Sequence, residues 1–209
     1  MRLGRVAVEG REISAERGGR QLFDNLHFAV GPGELLEMIG PNGVGKSSLL
    51  RLIAGLVPLT FGKLIFTRNG KRLGDDDPPA TSLLHWLSHQ DGLKTVMSVS
   101  ETIAFYGRLF GPSQREDAVL DQVGLSAKAA LPVQYLSAGQ RRRLAFARLL
   151  ISERPLWLLD EPFAAVDAQG RALVQGLIAS HRAGGGTVIA ATHDALAGDA
   201  RRLSLGSVL

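Results

Sequence analysis

The stretch Gly40-Pro41-Asn42-Gly43-Val44-Gly45-Lys46-Ser47-Ser48 constrains this chain more than any other. It follows an apolar run (Leu35, Leu36, Met38, Ile39) and precedes a second one (Leu49, Leu50, Leu52, Ile53), so it reads as strand, glycine loop, helix. The spacing is that of a phosphate-binding loop, G-x-x-x-x-G-K-[ST]. Glycines let the backbone curl so that successive N–H groups face phosphate oxygens. Lys46 brings a positive charge to the outer phosphates, Ser47 offers a hydroxyl to Mg²⁺, and the helix that begins there adds the positive end of its dipole. The implied ligand is a nucleoside triphosphate with Mg²⁺.

A chain of 209 residues with 45% hydrophobic content can bury a substantial core, and one domain with an inserted subdomain suits its length. No apolar run is long enough to cross a bilayer, and Met1-Arg2-Leu3-Gly4-Arg5 is not the start of a secretory signal, so the expected compartment is the cytoplasm. With no cysteine, disulfides, thiolate metal sites and cysteine nucleophiles are excluded. The net charge of +4 is small and dispersed apart from Arg141-Arg142-Arg143, so nucleic acid is not an expected partner.

In chain order, residues 3 to 30 alternate apolar and polar residues with breaks at Gly10 and Gly18-Gly19, which predicts short antiparallel strands. The helix from Lys46 should end near Gly55. Asp75-Asp76-Asp77-Pro78-Pro79 reads as a solvated loop tip rather than a metal site. Leu83 to Leu87 is a second buried strand ending at Ser88-His89-Gln90, where Gln90 can reach the metal and its water. Helical spacing runs from Ser98 to Val123, and a further helix follows Leu136-Ser137-Ala138-Gly139-Gln140 to about Ile151, with Leu144, Ala147 and Leu150 inward and Arg141, Arg142 and Arg148 elsewhere. Leu156-Trp157-Leu158-Leu159 is fully apolar, as in the centre of a parallel sheet, and delivers Asp160-Glu161 at its carboxyl end. A helix from about Asp167 to Arg182 and a strand from Val188 to Ala191 lead to His193, and Arg201 to Leu209 suit a short edge strand or hairpin. Asp160 would hold Mg²⁺ through water, and Glu161, one step on, would accept a proton from the water that attacks the γ-phosphate.

With the phosphate loop, Gln90, Leu136-Ser137-Ala138-Gly139-Gln140, Asp160-Glu161, Asp167 and His193 in this order, the chain resembles the ATP-binding cassette ATPases from about Val6 to the C-terminus. The resemblance implies a P-loop NTPase α/β fold: a RecA-like parallel core sheet, an N-terminal antiparallel β-subdomain, and a helical subdomain inserted at about 92–150 into one domain spanning 1–209. It also implies a head-to-tail homodimer in which Ser137, Gly139 and Gln140 of each subunit cover the ATP held by the other. Gln90 would sense Mg²⁺ and the attacking water, His193 would hold the γ-phosphate, and Asp167 would join the subunits. Three positions depart from the usual pattern. Ala138 replaces a common glycine, Ala164 lacks a common hydroxyl, and Arg17 stands where an aromatic usually stacks on adenine. A guanidinium also stacks on a base, so ATP binding is expected to persist, with the preference for adenine over guanine left open.

Within that family, Arg17-Gly18-Gly19-Arg20 before Leu22-Phe23, Ser88-His89-Gln90-Asp91, the helix with Phe105-Tyr106, and Leu156 to Phe163 are similar to the ATP-binding subunit of the bacterial haem exporter of cytochrome c maturation. That similarity implies a membrane-spanning partner subunit, haem delivery to the periplasmic side, and attachment to the cytoplasmic face of the inner membrane. The alternatives are an exporter of another small substrate and a soluble cassette ATPase. The segment Asp91 to Met97 and the insertion bearing Phe105, Tyr106, Leu109 and Phe110 are the expected docking surface for the membrane partner.

Overall fold

The computed structural model describes residues 4–196 and 198–206, apart from the side chains of Arg17 and Arg20. The expectation placed on Arg17 as a base-stacking group therefore lies outside the described residues, as do parts of those placed on the two termini.

Two long strands open the chain, β1 (Val6–Arg17) and β2 (Arg20–Val30), joined by a turn at Gly18-Gly19. The expected break at Gly10 is not there. Gly10 sits inside β1 opposite Phe28, whose ring occupies the space a Cβ would need, so glycine is in the strand for close approach rather than to end it. The irregularities fall just after, where the register shifts between Gly10 and Ile13 and between Ile13 and Ala15. Next come β3 (Leu35–Ile39), α1 (Lys46–Ile53), β4 (Phe61–Arg68), the two-residue β5 (Lys71–Arg72) and β6 (Leu84–Leu87). After them follow α2 (Val99–Phe110), α3 (Glu116–Gln122), α4 (Ala138–Ile151), β7 (Leu156–Asp160), α5 (Ala168–Ala183), β8 (Thr187–Ala191) and β9 (Arg201–Ser204).

The strands form two sheets. One is antiparallel in the order β2-β1-β4-β5, and the other has the order β6-β7-β8-β3-β9, with β7, β8, β3 and β9 parallel. β7 and β8 are buried at every position, as apolar strands with neighbours on both sides should be. The Leu83 to Leu87 strand, expected to be buried, is an edge strand: Leu84 and Trp86 are only half-buried. The last strand is a parallel edge strand, not a hairpin, with Arg201 3.3 Å from Glu34 and Arg202 3.6 Å from Glu37.

The chain divides into two compact units. One comprises Met1–Trp86, Arg154–Glu161 and Ile178–Leu209, and its core joins Val6, Val8, Phe28, Met38, Leu49, Leu50, Leu158 and Ile189. The other comprises Leu87–Glu153 and Pro162–Leu177 and is helical, with Val99, Ile103, Val119, Leu144 and Phe146 fully buried. One expectation about this second unit is overturned. Arg142, expected off the inward face of α4, is only 2% exposed, because it lies on the same helical stripe as Ala145, Phe146 and Leu149. The run Arg141-Arg142-Arg143 is thus no surface patch: Arg141 donates to the Leu136 carbonyl, Arg143 to that of Val123, and Arg142 is inside.

Candidate functional site

In the sheet unit, the loop between β3 and α1 is held by its own lysine. Lys46 is buried, and its Nζ donates to the carbonyls of Gly40 at 2.6 Å and Pro41 at 3.1 Å. Gly45, the N-cap of α1, has φ 109 and Gly43 φ 79, values that a side chain would strain. No side chain caps α1 and no acid lies in its first turn, so its leading N–H groups present an uncompensated positive end to an anion. Beside Ser48 is a cavity of about 320 Å³ with Ala15, Leu22 and Val57 among its walls and Glu16 and Arg51 at its polar side.

Ser47 Oγ donates to Asp160 Oδ1 at 2.9 Å, bringing together residues 113 positions apart. Parallel strands do this: β3 and β7 run the same way, so the loops after both emerge at one edge of the sheet. A hydroxyl and a buried carboxylate are hard oxygen donors, the type Mg²⁺ takes when phosphate and water complete its shell. These two oxygens fit that ion. Among the described residues there is no group of three or more His, Asp or Glu side chains that could hold a metal ion.

Glu161 follows with φ 48, an uncommon conformation for a residue with a Cβ, and its N–H donates to the Ala191 carbonyl at 2.8 Å. That bond ties the end of β7 to the end of β8, and two residues beyond Ala191 is His193, whose Nε2 lies 3.4 Å from Glu161 Oε1. The stretch around His193 is shaped by Thr192, whose hydroxyl bonds the Asp194 carbonyl and N–H, and by Glu37, which accepts from the Leu196 N–H at 2.6 Å. Glu37 is 1% exposed, a buried acid in the middle of β3 that the apolar reading of that strand passed over. Its signal was positional: one carboxylate inside a run of leucine, methionine and isoleucine must have a partner.

In the helical unit, Ser137 and Gln140 form a capping box at the start of α4. Ser137 Oγ accepts from the Gln140 N–H at 3.2 Å, and Gln140 Oε1 accepts from the Ser137 N–H at 3.0 Å. The sequence Ser-Ala-Gly-Gln has the S-x-x-Q spacing of that motif, so this part of the geometry was readable and was missed. A Cβ on Gly139 would come within 3.1 Å of the Ala165 carbonyl, which fits glycine there. Asp167 Oδ1 accepts from the Gly170 N–H at 2.7 Å at the start of α5. Ser137, Gly139, Gln140 and Asp167 line one small pocket of about 100 Å³. Gln90 is exposed, with its carbonyl held by the Ser88 hydroxyl.

A family model described as "ABC transporter" matches residues 23–164. The chain is 45% identical over 201 residues to a Rhodopseudomonas palustris protein named "Cytochrome c biogenesis ATP-binding export protein CcmA", covering 96% of this chain and 98% of that one. A protein of the same name from Mesorhizobium japonicum is 48% identical over 198 residues, covering 93% and 95%. Among solved structures, a putative ABC transporter ATP-binding protein from Pyrococcus furiosus superposes with a TM-score of 0.80 at 20% identity, covering 95% of this chain and 97% of that one, which shows the shared fold.

Proposed function

The chain belongs to the ABC transporter family and is an ATPase, and from that premise we propose that it is the ATP-hydrolysing subunit of an exporter serving cytochrome c biogenesis, with haem as the cargo. The observation that carries the catalytic part is the pairing at one sheet edge of Ser47 with Asp160 and of Glu161 with His193. The near full-length identity to relatives named for cytochrome c biogenesis supports the pathway.

In this reading Gly40 to Ser48 wrap the phosphates, Lys46 neutralises the outer ones, Ser47 and Asp160 would hold Mg²⁺, and Gln90 would sense the ion and the attacking water. Bound there, Mg²⁺ would offset negative charge on the phosphate oxygens. Glu161 accepts a proton from the attacking water as the new P–O bond forms and the bond to the β-phosphate oxygen breaks, giving ADP and phosphate. His193 steadies the γ-phosphate. The base would occupy the cavity beside Ser48. Ser137, Gly139 and Gln140 close the site of a second copy in a head-to-tail dimer, and Asp167 meets that copy. In this reading the helical subdomain at about 92–150 is an insertion in one ATPase domain over 1–209.

The reading includes a membrane-spanning partner subunit and a peripheral position on the cytoplasmic face of the inner membrane, supported by the similarity to relatives named as ATP-binding export proteins. Val96 is 79% exposed and Leu109 57%, which supports docking through residues 91–97 and α2.

The test is Glu161→Gln. The variant should retain Mg-ATP while turnover falls by a factor on the order of 10² or more. Turnover at the parent rate removes Glu161 as the base.

A further inference from the structure

Arg142 is the largest fully buried side chain among the described residues, and three of its hydrogen bonds reach stretches named above for another reason. It sits one turn after Gly139 on α4. Its Nη1 donates to the Ser88 carbonyl at 2.9 Å and to Asp91 Oδ1 at 2.9 Å, and its Nε donates to the Pro162 carbonyl at 3.3 Å. Ser88 and Asp91 bracket Gln90, and Pro162 directly follows Glu161.

We propose that Arg142 is a positioning residue for ATP hydrolysis, a clamp that makes the Gln90 segment, the turn after Glu161 and the start of α4 with its signature, Leu136-Ser137-Ala138-Gly139-Gln140, move as one body. The inference rests on the reading of Gln90 and of the signature given above. Neither a lysine nor a neutral side chain can do this work. The planar guanidinium supplies donors in several directions from one rigid group, whereas an ammonium on a flexible stem does not span three acceptors. A charge this deep is costly unless paired, and Asp91, 23% exposed, supplies the opposite charge while the carbonyls take other N–H groups.

A second, independent tether holds the same segment. Tyr106 Oη donates to the Gly92 carbonyl at 3.0 Å, and Arg148, also on α4, donates from Nη1 to Tyr106 Oη at 3.2 Å with its guanidinium 4.9 Å from the Tyr106 ring centroid. Residues 88–92 thus hang from α4 at both ends. A displacement of the signature must carry Gln90 with it, and the reverse, which is the mechanical link a site shared between two subunits needs for γ-phosphate loss to be felt at the docking surface.

The experiment uses the full chain in the complex with which it co-purifies, as Arg142→Lys, Asp91→Ala, Asp91→Asn and Gln90→Ala. Turnover is read against equilibrium ATP affinity, with thermal melting alongside. Asp91→Ala and Arg142→Lys are expected to lower turnover roughly tenfold to a hundredfold, the scale set by a small misplacement of a catalytic group, while ATP affinity stays within about twofold. Asp91→Asn keeps an acceptor for Nη1 and should recover most of the rate. A merely structural arginine would lower the melting temperature and reduce turnover and ATP-binding capacity together, and that outcome overturns the proposal. So does Asp91→Ala at parental turnover, a result that stands even where Arg142→Lys fails to fold. If Gln90→Ala slows hydrolysis and Asp91→Ala does not, the clamp alone is wrong. If Gln90→Ala turns over at the parental rate, the reading of Gln90 fails first and takes the clamp with it.

Discussion

Ser47 and Ser137 both stand at the start of a helix, and each hydroxyl has a different use. Ser47 donates across 113 residues to Asp160, a partner that arrives only when β7 joins the parallel sheet. Ser137 accepts from Gln140, three residues on, inside its own helix turn. The same contrast runs through both regions. In the sheet unit, Glu161 meets His193 and Glu37 meets Leu196 from other strands or loops. In the helical unit, Asp167 caps its own helix through Gly170. Chemistry on the sheet is therefore a property of the finished fold, while the signature's shape is written into a few adjacent residues, which suits a surface that presents itself to another molecule.

The strongest way to break this comparison is at Lys46. Its ammonium is buried on two carbonyls of its own loop, and Lys46→Ala should lower the affinity for ATP on the order of 10² or more, read by equilibrium binding. Unchanged affinity would mean that the loop is not the phosphate site.

Acid should separate the two units next. His181 is buried in the sheet unit, stacked on Trp157 with ring centroids 3.9 Å apart, and burial pushes its pKa down from 6.5 to about 4. The folded value lies below the unfolded one, so the unfolded chain takes up the proton first. The full contribution to stability is present above about pH 6.5 and is lost progressively as pH falls to about 4, a change of about 3 kcal/mol. Hydrogen exchange at pH 5 should show β7 losing protection before α4. His181→Phe should flatten the stability profile over that window, and a slope that persists in the variant would clear the histidine.

The smallest effect sharpens the other side. Ser137→Ala removes a cap and should cost about 1 kcal/mol in thermal unfolding, with Ser137→Thr largely neutral. A cost well above that would mean the hydroxyl supports more than its own helix.

What the sequence made legible follows the same division. The phosphate loop, the buried strand ending in Asp160-Glu161 and the helical stretch after Ser98 could be read because each is encoded by a short run of adjacent residues. Gly10 misled because a glycine that ends a strand and one that makes room for a ring look alike until Phe28 is seen across the ladder. Arg142 misled because its charge was weighed above its register, although 142, 145, 146 and 149 mark one apolar face. The partnership of Glu37 with the stretch after His193 joins residues 159 positions apart, a distance no local pattern spans.

The arginines of β9 have a bearing on how copies of this protein can meet. Sheets that end in an apolar strand invite another chain to lengthen them, the route to strand swapping and fibrils. Here the parallel sheet stops at a four-residue strand whose Arg201 and Arg202 are exposed, each held beside an acid of β3 or of the turn before it. A second copy laid along that edge would set like charges against like. Strand addition along β9 is thereby opposed.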